Sequence, residues 1–136
     1  MRFLFNGAFS FSQDLHKWNT TNVKSMKNMF ADAINFNGKI HSFKTQNVQD
    51  MSFMFTNAVK FAGSVEDFDT SQVRTMHSLF MLAQSFNGNL KHWNVSKVHD
   101  FQYCFYGASK FNKDISLWNV QKATNMNSMV SDRELL

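Results

Sequence analysis

Apolar residues recur along the chain at a constant interval of 25, without insertion or deletion. Phe5, Phe30, Phe55, Phe80 and Phe105 form one invariant column, Ala8, Ala33, Ala58, Ala83 and Ala108 a second, and Phe11, Phe36, Phe61, Phe86 and Phe111 a third. Conservative columns accompany them, among them Trp18, Phe43, Phe68, Trp93, Trp118 and Met29, Met54, Leu79, Cys104, Met129. Strict self-similarity of this kind marks an array in which each repeat packs mainly on the one before and the one after.

Within a unit the spacing changes. Met26, Met29, Phe30 and Ala33 fall at the intervals of a short helix's apolar stripe. The preceding column, Ser25, Asp50, Thr75, Asp100 and Asn125, holds only residues suited to cap a helix N-terminus. Two-turn helices are therefore predicted to begin near Met26, Met51, Met76, Phe101 and Met126. Asn37-Gly38, Gly63 and Asn87-Gly88 predict tight turns with a positive backbone angle. Leu15-x-x-Trp18-x-Thr20-x-x-Val23 matches the strand half of a leucine-rich repeat and predicts parallel strands near 17–21, 42–46, 67–71, 92–96 and 117–121. The expected fold is an α/β repeat: a curved, leucine-rich-repeat-like solenoid of about five units, with parallel strands on one side and short helices on the other. One repeat domain spans 1–136, with a partial unit at 1–14 and a C-terminal cap at 126–136.

The unit seen as MFADAINFNGKIHSFKTQNVQDM and CFYGASKFNKDISLWNVQKATNM resembles the repeat of the BspA-like leucine-rich-repeat surface proteins over essentially the whole chain. That resemblance implies an interaction or adhesion role at the cell surface and supplies no catalytic residue. The chain opens without the pattern of a signal peptide, so an organellar or intracellular complex, with this chain as structural subunit or spacer, is the alternative expectation.

Composition narrows the classes further. With 136 residues, 43% of them apolar, the chain is one domain able to bury a real core, and its 16 Phe and nine Met build that core from large side chains. No apolar run is long enough to cross a bilayer. The net charge of +4 is spread among acidic residues along the chain, so nucleic acid is not an expected partner. The single cysteine, Cys104, lies in a core column and is expected to be buried, as are Phe80 and Trp93. No phosphate loop, nucleophile elbow or isolated carboxylate pair interrupts the repeat, so a non-enzyme without a cofactor is expected.

Candidate binding residues are the outward positions of the expected strands: Lys17, Asn19, Thr21, Lys44, Gln46, Asp67, Asp69, Ser71, His92, Asn94, Ser96, Asn119 and Gln121. Adjacent rungs place Lys44 beside Asp69 and Asp67 beside His92, where they can pair. This face is expected to meet a protein or a glycan. Phe3, Leu4 and Phe5 open the chain with no unit before them, and a partner protein or further repeats are expected on that end. His16, His41 and Glu66 share one column and are the weak candidates for metal ligands. Asn19-Thr20-Thr21 and Asn94-Val95-Ser96 are glycosylation sequons.

Overall fold

The structure is a computed structural model that describes residues 1–131. The chain winds through one coil per 25-residue repeat, and each coil is a succession of tight turns. Among the described residues no helix forms, and pairing is confined to isolated parallel bridges linking Ser25, Asp50, Thr75, Asp100 and Asn125 in turn. The expectation of a leucine-rich-repeat-like α/β solenoid with strands and helices on opposite sides is therefore wrong.

The destination of each backbone N–H explains the missing helices. Between Met26 and Ala33 the N–H groups of Met29, Ala31 and Ala33 donate to the carbonyls three residues back, Met26, Asn28 and Phe30. Those of Asn28, Phe30 and Asp32 cross instead to Ser52, Met54 and Thr56 of the next coil, at 2.8 to 3.0 Å. A helix would return every N–H to the fourth preceding carbonyl. Here alternate groups serve the turn and the neighbouring coil, so every donor in the segment is satisfied. Asn28 and Asp32, with φ of 56° and 59°, take the left-handed conformation that a helix cannot contain but the third residue of a type II turn requires. Apolar residues three and four apart mark the corners of linked turns as well as one face of a helix.

The strands near 17–21, 42–46, 67–71, 92–96 and 117–121 are absent for the same reason. The Trp18 N–H donates to the Leu15 carbonyl at 3.0 Å and that of Val23 to Thr20 at 3.0 Å, so both three-residue spacings are the ends of turns. The supposed cap column keeps its local bond without a helix: Asp50 Oδ1 accepts from the Ser52 N–H at 2.8 Å and Asp100 Oδ1 from the Gln102 N–H at 2.9 Å. The glycines also act differently from the expectation. Positive φ belongs to Gly7 and Gly107, whereas a Cβ on Gly63 or Gly88 would come within 2.9 or 2.8 Å of the Phe61 or Phe86 ring. These glycines make room for the ring two positions earlier.

Three aromatic stacks run through the core. Phe5, Phe30, Phe55, Phe80 and Phe105 lie 5.4 to 5.7 Å apart between centroids. Phe11, Phe36, Phe61, Phe86 and Phe111 follow at 5.8 to 6.1 Å. Phe43, Phe68, Trp93 and Trp118 form the third at 6.4 to 6.5 Å. Within a coil the first two stacks touch, as between Phe80 and Phe86 at 4.0 Å. Trp93 and Trp118 donate their ring N–H to the Val65 and Leu90 carbonyls, both at 3.0 Å. The buried hydroxyls of Thr20, Thr45 and Thr70 donate to Lys44, Asp69 and Asn94 carbonyls of the next coil. Buried polar atoms thus tie one coil to another while their hydrogen bonds remain satisfied. Of the expected cap at 126–136, residues 132–136 lie outside the described residues.

Candidate functional site

The outward polar columns sit on turns, and the turns dictate what most of their side chains do. Asn19, Asn94 and Asn119 each accept, through Oδ1, the N–H two residues on, from Thr21, Ser96 and Gln121 at 3.0 to 3.1 Å. Asp69 does the same for Ser71 and also accepts the Ser71 hydroxyl at 2.6 Å. These Asx turns hold the coil's corner, as side chains with a short polar arm do. The Ser71 hydroxyl and N–H hold the Asp69 carboxyl below its ordinary range, against a smaller opposing effect of burial.

Lys44 departs from that column. It has no carboxamide to close the turn, and its own N–H donates to Thr20 Oγ1 at 2.7 Å. Its side chain is left to line a surface depression of about 500 Å³ with His41, Ser42, Phe43, Thr45, Gln46, Asp67 and Asp69. His41, Lys44, Gln46 and Asp67 are exposed, and among the described residues their side chains make no hydrogen bond or ion pair. The expected pairs Lys44–Asp69 and Asp67–His92 are not formed; among the described residues His77 Nδ1 instead lies within hydrogen-bond distance of Asp100 Oδ2, at 3.1 Å.

Elsewhere on this face Lys17 and His92 are exposed, and Thr21, Ser71 and Ser96 are half-buried. Lys17, Asn119 and Gln121 lie on other coils and do not line the depression. Among the described residues no group of three His, Cys, Asp or Glu side chains is placed to hold a metal ion, so His16, His41 and Glu66 are not gathered into a site. Glu66 Oε1 instead accepts from Asn89 Nδ2 at 2.9 Å. In the two sequons the asparagine side chains serve Asx turns, and Thr20 and Val95 are buried. Burial pushes the Cys104 thiol far above its ordinary value, so it is no ready nucleophile.

Phe3 and Leu4 are exposed and Phe5 is half-buried, stacked on Phe11 at 4.1 Å and Phe30 at 5.6 Å. Trp18 in the same coil is 40% exposed, against 3 to 8% for Phe43, Phe68, Trp93 and Trp118 above it. The His77–Asp100 contact escaped the sequence, because partners 23 residues apart become neighbours only when the coil geometry is known.

A family model described as Mycoplasma protein of unknown function, DUF285, matches residues 1–70 and 39–135. No curated protein and no solved structure matches the chain.

Proposed function

The chain belongs to the DUF285 family, and on that premise we propose that it is a non-catalytic interaction or adhesion scaffold whose repeat is akin to that of the BspA-like surface proteins. The observation that carries the proposal is the depression across adjacent coils, where Lys44, Asp67, His41 and Gln46 offer both charges and an amide without using them on the fold. A core locked by inter-coil bonds holds the backbone beneath these groups at fixed spacing, which leaves only side-chain freedom to be lost on binding a protein or glycan. The test is affinity capture on the purified chain against its Lys44→Glu/Asp67→Lys form, with circular dichroism to confirm equal folding. Loss of the bound species in the variant is expected; the same species at the same level on both would overturn the reading.

A second reading, a structural subunit within a larger complex, draws on the exposed Phe3, Leu4 and Trp18. A partner protein or further repeats covering that coil would bury them. Changing Phe3 and Leu4 to Ser then releases the partner in light scattering of the complex, and an unchanged complex sinks this reading.

A further inference from the structure

We infer, on the reading of the depression at His41 to Asp69 as a binding site, that its ligand is a polypeptide segment in which an acidic side chain stands beside a basic one. The coil 39–46 holds the carboxylate and the coil 64–71 holds the cation.

The first indication is a lapse in the turn chemistry. Two positions of the repeat ordinarily supply a side-chain acceptor for the N–H two residues on. At the first, Ser64, Asn89 and Asp114 accept from Glu66, Lys91 and Ser116 at 2.8 to 3.4 Å, while Asp14 accepts the Lys39 N–H of the neighbouring coil at 2.9 Å. At the second, Asn19, Asp69, Asn94 and Asn119 close the turns described above. In the coil 39–46 these two positions are Lys39 and Lys44, and no other coil has a lysine at either place. A lysine side chain carries donors and no acceptor. The N–H groups of His41 and Gln46 accordingly make no hydrogen bond among the described residues, and both residues line the depression.

Donors left open in this way select an acceptor from outside. An incoming carboxylate can take, at the Gln46 N–H, the place that the Asp69 carboxylate takes at the Ser71 N–H one coil on, with the exposed Lys44 ammonium beside it. Hydrogen bonds to an ionised acceptor are the stronger kind, and a carboxylate held by backbone N–H groups is a recurring mode of peptide capture.

The next coil has the opposite character. Residues 39–46 include no Asp or Glu, whereas residues 64–71 include Glu66, Asp67 and Asp69 and no Lys or Arg. Glu66 is engaged with Asn89 and Asp69 Oδ1 with Ser71, which leaves the exposed Asp67 and the second Asp69 oxygen as acceptors on that side of the depression. Lys91 and His92, on the coil beyond, do not line the depression and form no ion pair with these acids among the described residues. The sign of charge thus changes across one coil spacing, about 5 Å. A bare anion would meet Asp67 and Asp69, and a bare cation would meet Lys44; a segment carrying both charges in matching order is opposed by neither. A carboxylated glycan brings the anion without a cation, and Phe43, the ring in the depression, is buried and offers it no stacking face.

Fluorescence anisotropy of a labelled Glu-Lys repeat peptide on the full chain tests this, with Glu-Gly and Lys-Gly repeats of equal length as comparisons and unlabelled oligoglucuronate as a competitor. The Glu-Lys peptide should bind more tightly than either comparison, and oligoglucuronate should not displace it. Lys44→Asn should weaken the Glu-Lys peptide about tenfold while the melting temperature holds or rises, because the amide restores the column's turn bond to the Gln46 N–H. Asp67→Asn, at an exposed position, should weaken it to a similar degree and provides the readout should Lys44→Asn unfold. Equal Glu-Lys binding by wild type and Lys44→Asn, equal binding of all three peptides, or displacement by oligoglucuronate would overturn the proposal. In that case, loss of the captured species in the Lys44→Glu/Asp67→Lys form would still mark the depression as the binding site.

Discussion

Replacing Phe80 by Ala tests the packing of coil on coil at its centre. The Phe80 side chain is fully buried and contacts four rings: Phe55 at 5.4 Å, Phe105 at 5.7 Å, Phe86 at 4.0 Å and Trp93 at 6.2 Å. Phe→Ala in a core typically costs about 3 to 5 kcal/mol, and each aromatic pair adds about 0.5 to 1.5 kcal/mol beyond area burial. Four partners place this site in the upper half, about 4 to 5 kcal/mol. Collapse into the void is resisted because the Phe80 N–H is held to the Cys104 carbonyl at 2.8 Å and the Phe55 N–H to Leu79 at 2.9 Å. Phe5→Ala is the internal control. Its ring is half-buried and stacks on Phe11 and Phe30, so the loss should be about half as large. Urea titrations give both values, with an unchanged m-value showing that the same cooperative unit is unfolding. A loss below about 1 kcal/mol for Phe80→Ala, or equal losses at both sites, would refute the nearest-neighbour reasoning.

Cys104 should resist a water-soluble thiol reagent in the native protein and react only as denaturant unfolds it, because burial disfavours the thiolate; rapid native labelling would contradict its placement. Ser71→Ala should raise the Asp69 pKa toward the ordinary carboxylate value, as followed by side-chain NMR through an acid titration. The native carboxyl titrates below its unfolded counterpart, so its contribution to stability is present above the unfolded pKa and is lost as pH falls through the native one. In Ser71→Ala that acid-side loss should shrink, and an unmoved Asp69 titration would exclude the hydroxyl as the cause.

The repeat, its register and its apolar columns were legible in the chain, because side chains that stack on their own kind must recur at the length of one coil, as Phe30, Phe55 and Phe80 do. The burial of Phe80, Trp93 and Cys104 followed from the same columns. The local elements did not follow. Met26, Met29, Phe30 and Ala33 have spacing common to a helix and to linked turns, and the choice depends on whether Asn28 N–H finds an acceptor in its own segment or at Ser52. That acceptor exists only once the next coil is in place. Leu15 and Trp18 posed the same ambiguity between strand and turn. At the candidate site, the exposure of Lys44, Asp67 and His41 could be anticipated, but not that Asp69 would be claimed by Ser71 and leave Lys44 without a partner. The His77–Asp100 contact likewise arises from stacking, because it joins two different columns, 23 residues apart, that meet only when one coil lies on the next. Composition and period alone settle which columns face the core, and position in the stack decides the rest: Trp18 and Met126, in the end coils, stay 40% and 43% exposed while their column mates in the inner coils are buried. Tertiary structure decided where each backbone N–H goes, because a hydrogen bond to the next coil competes with one inside the segment and wins only when that coil is present.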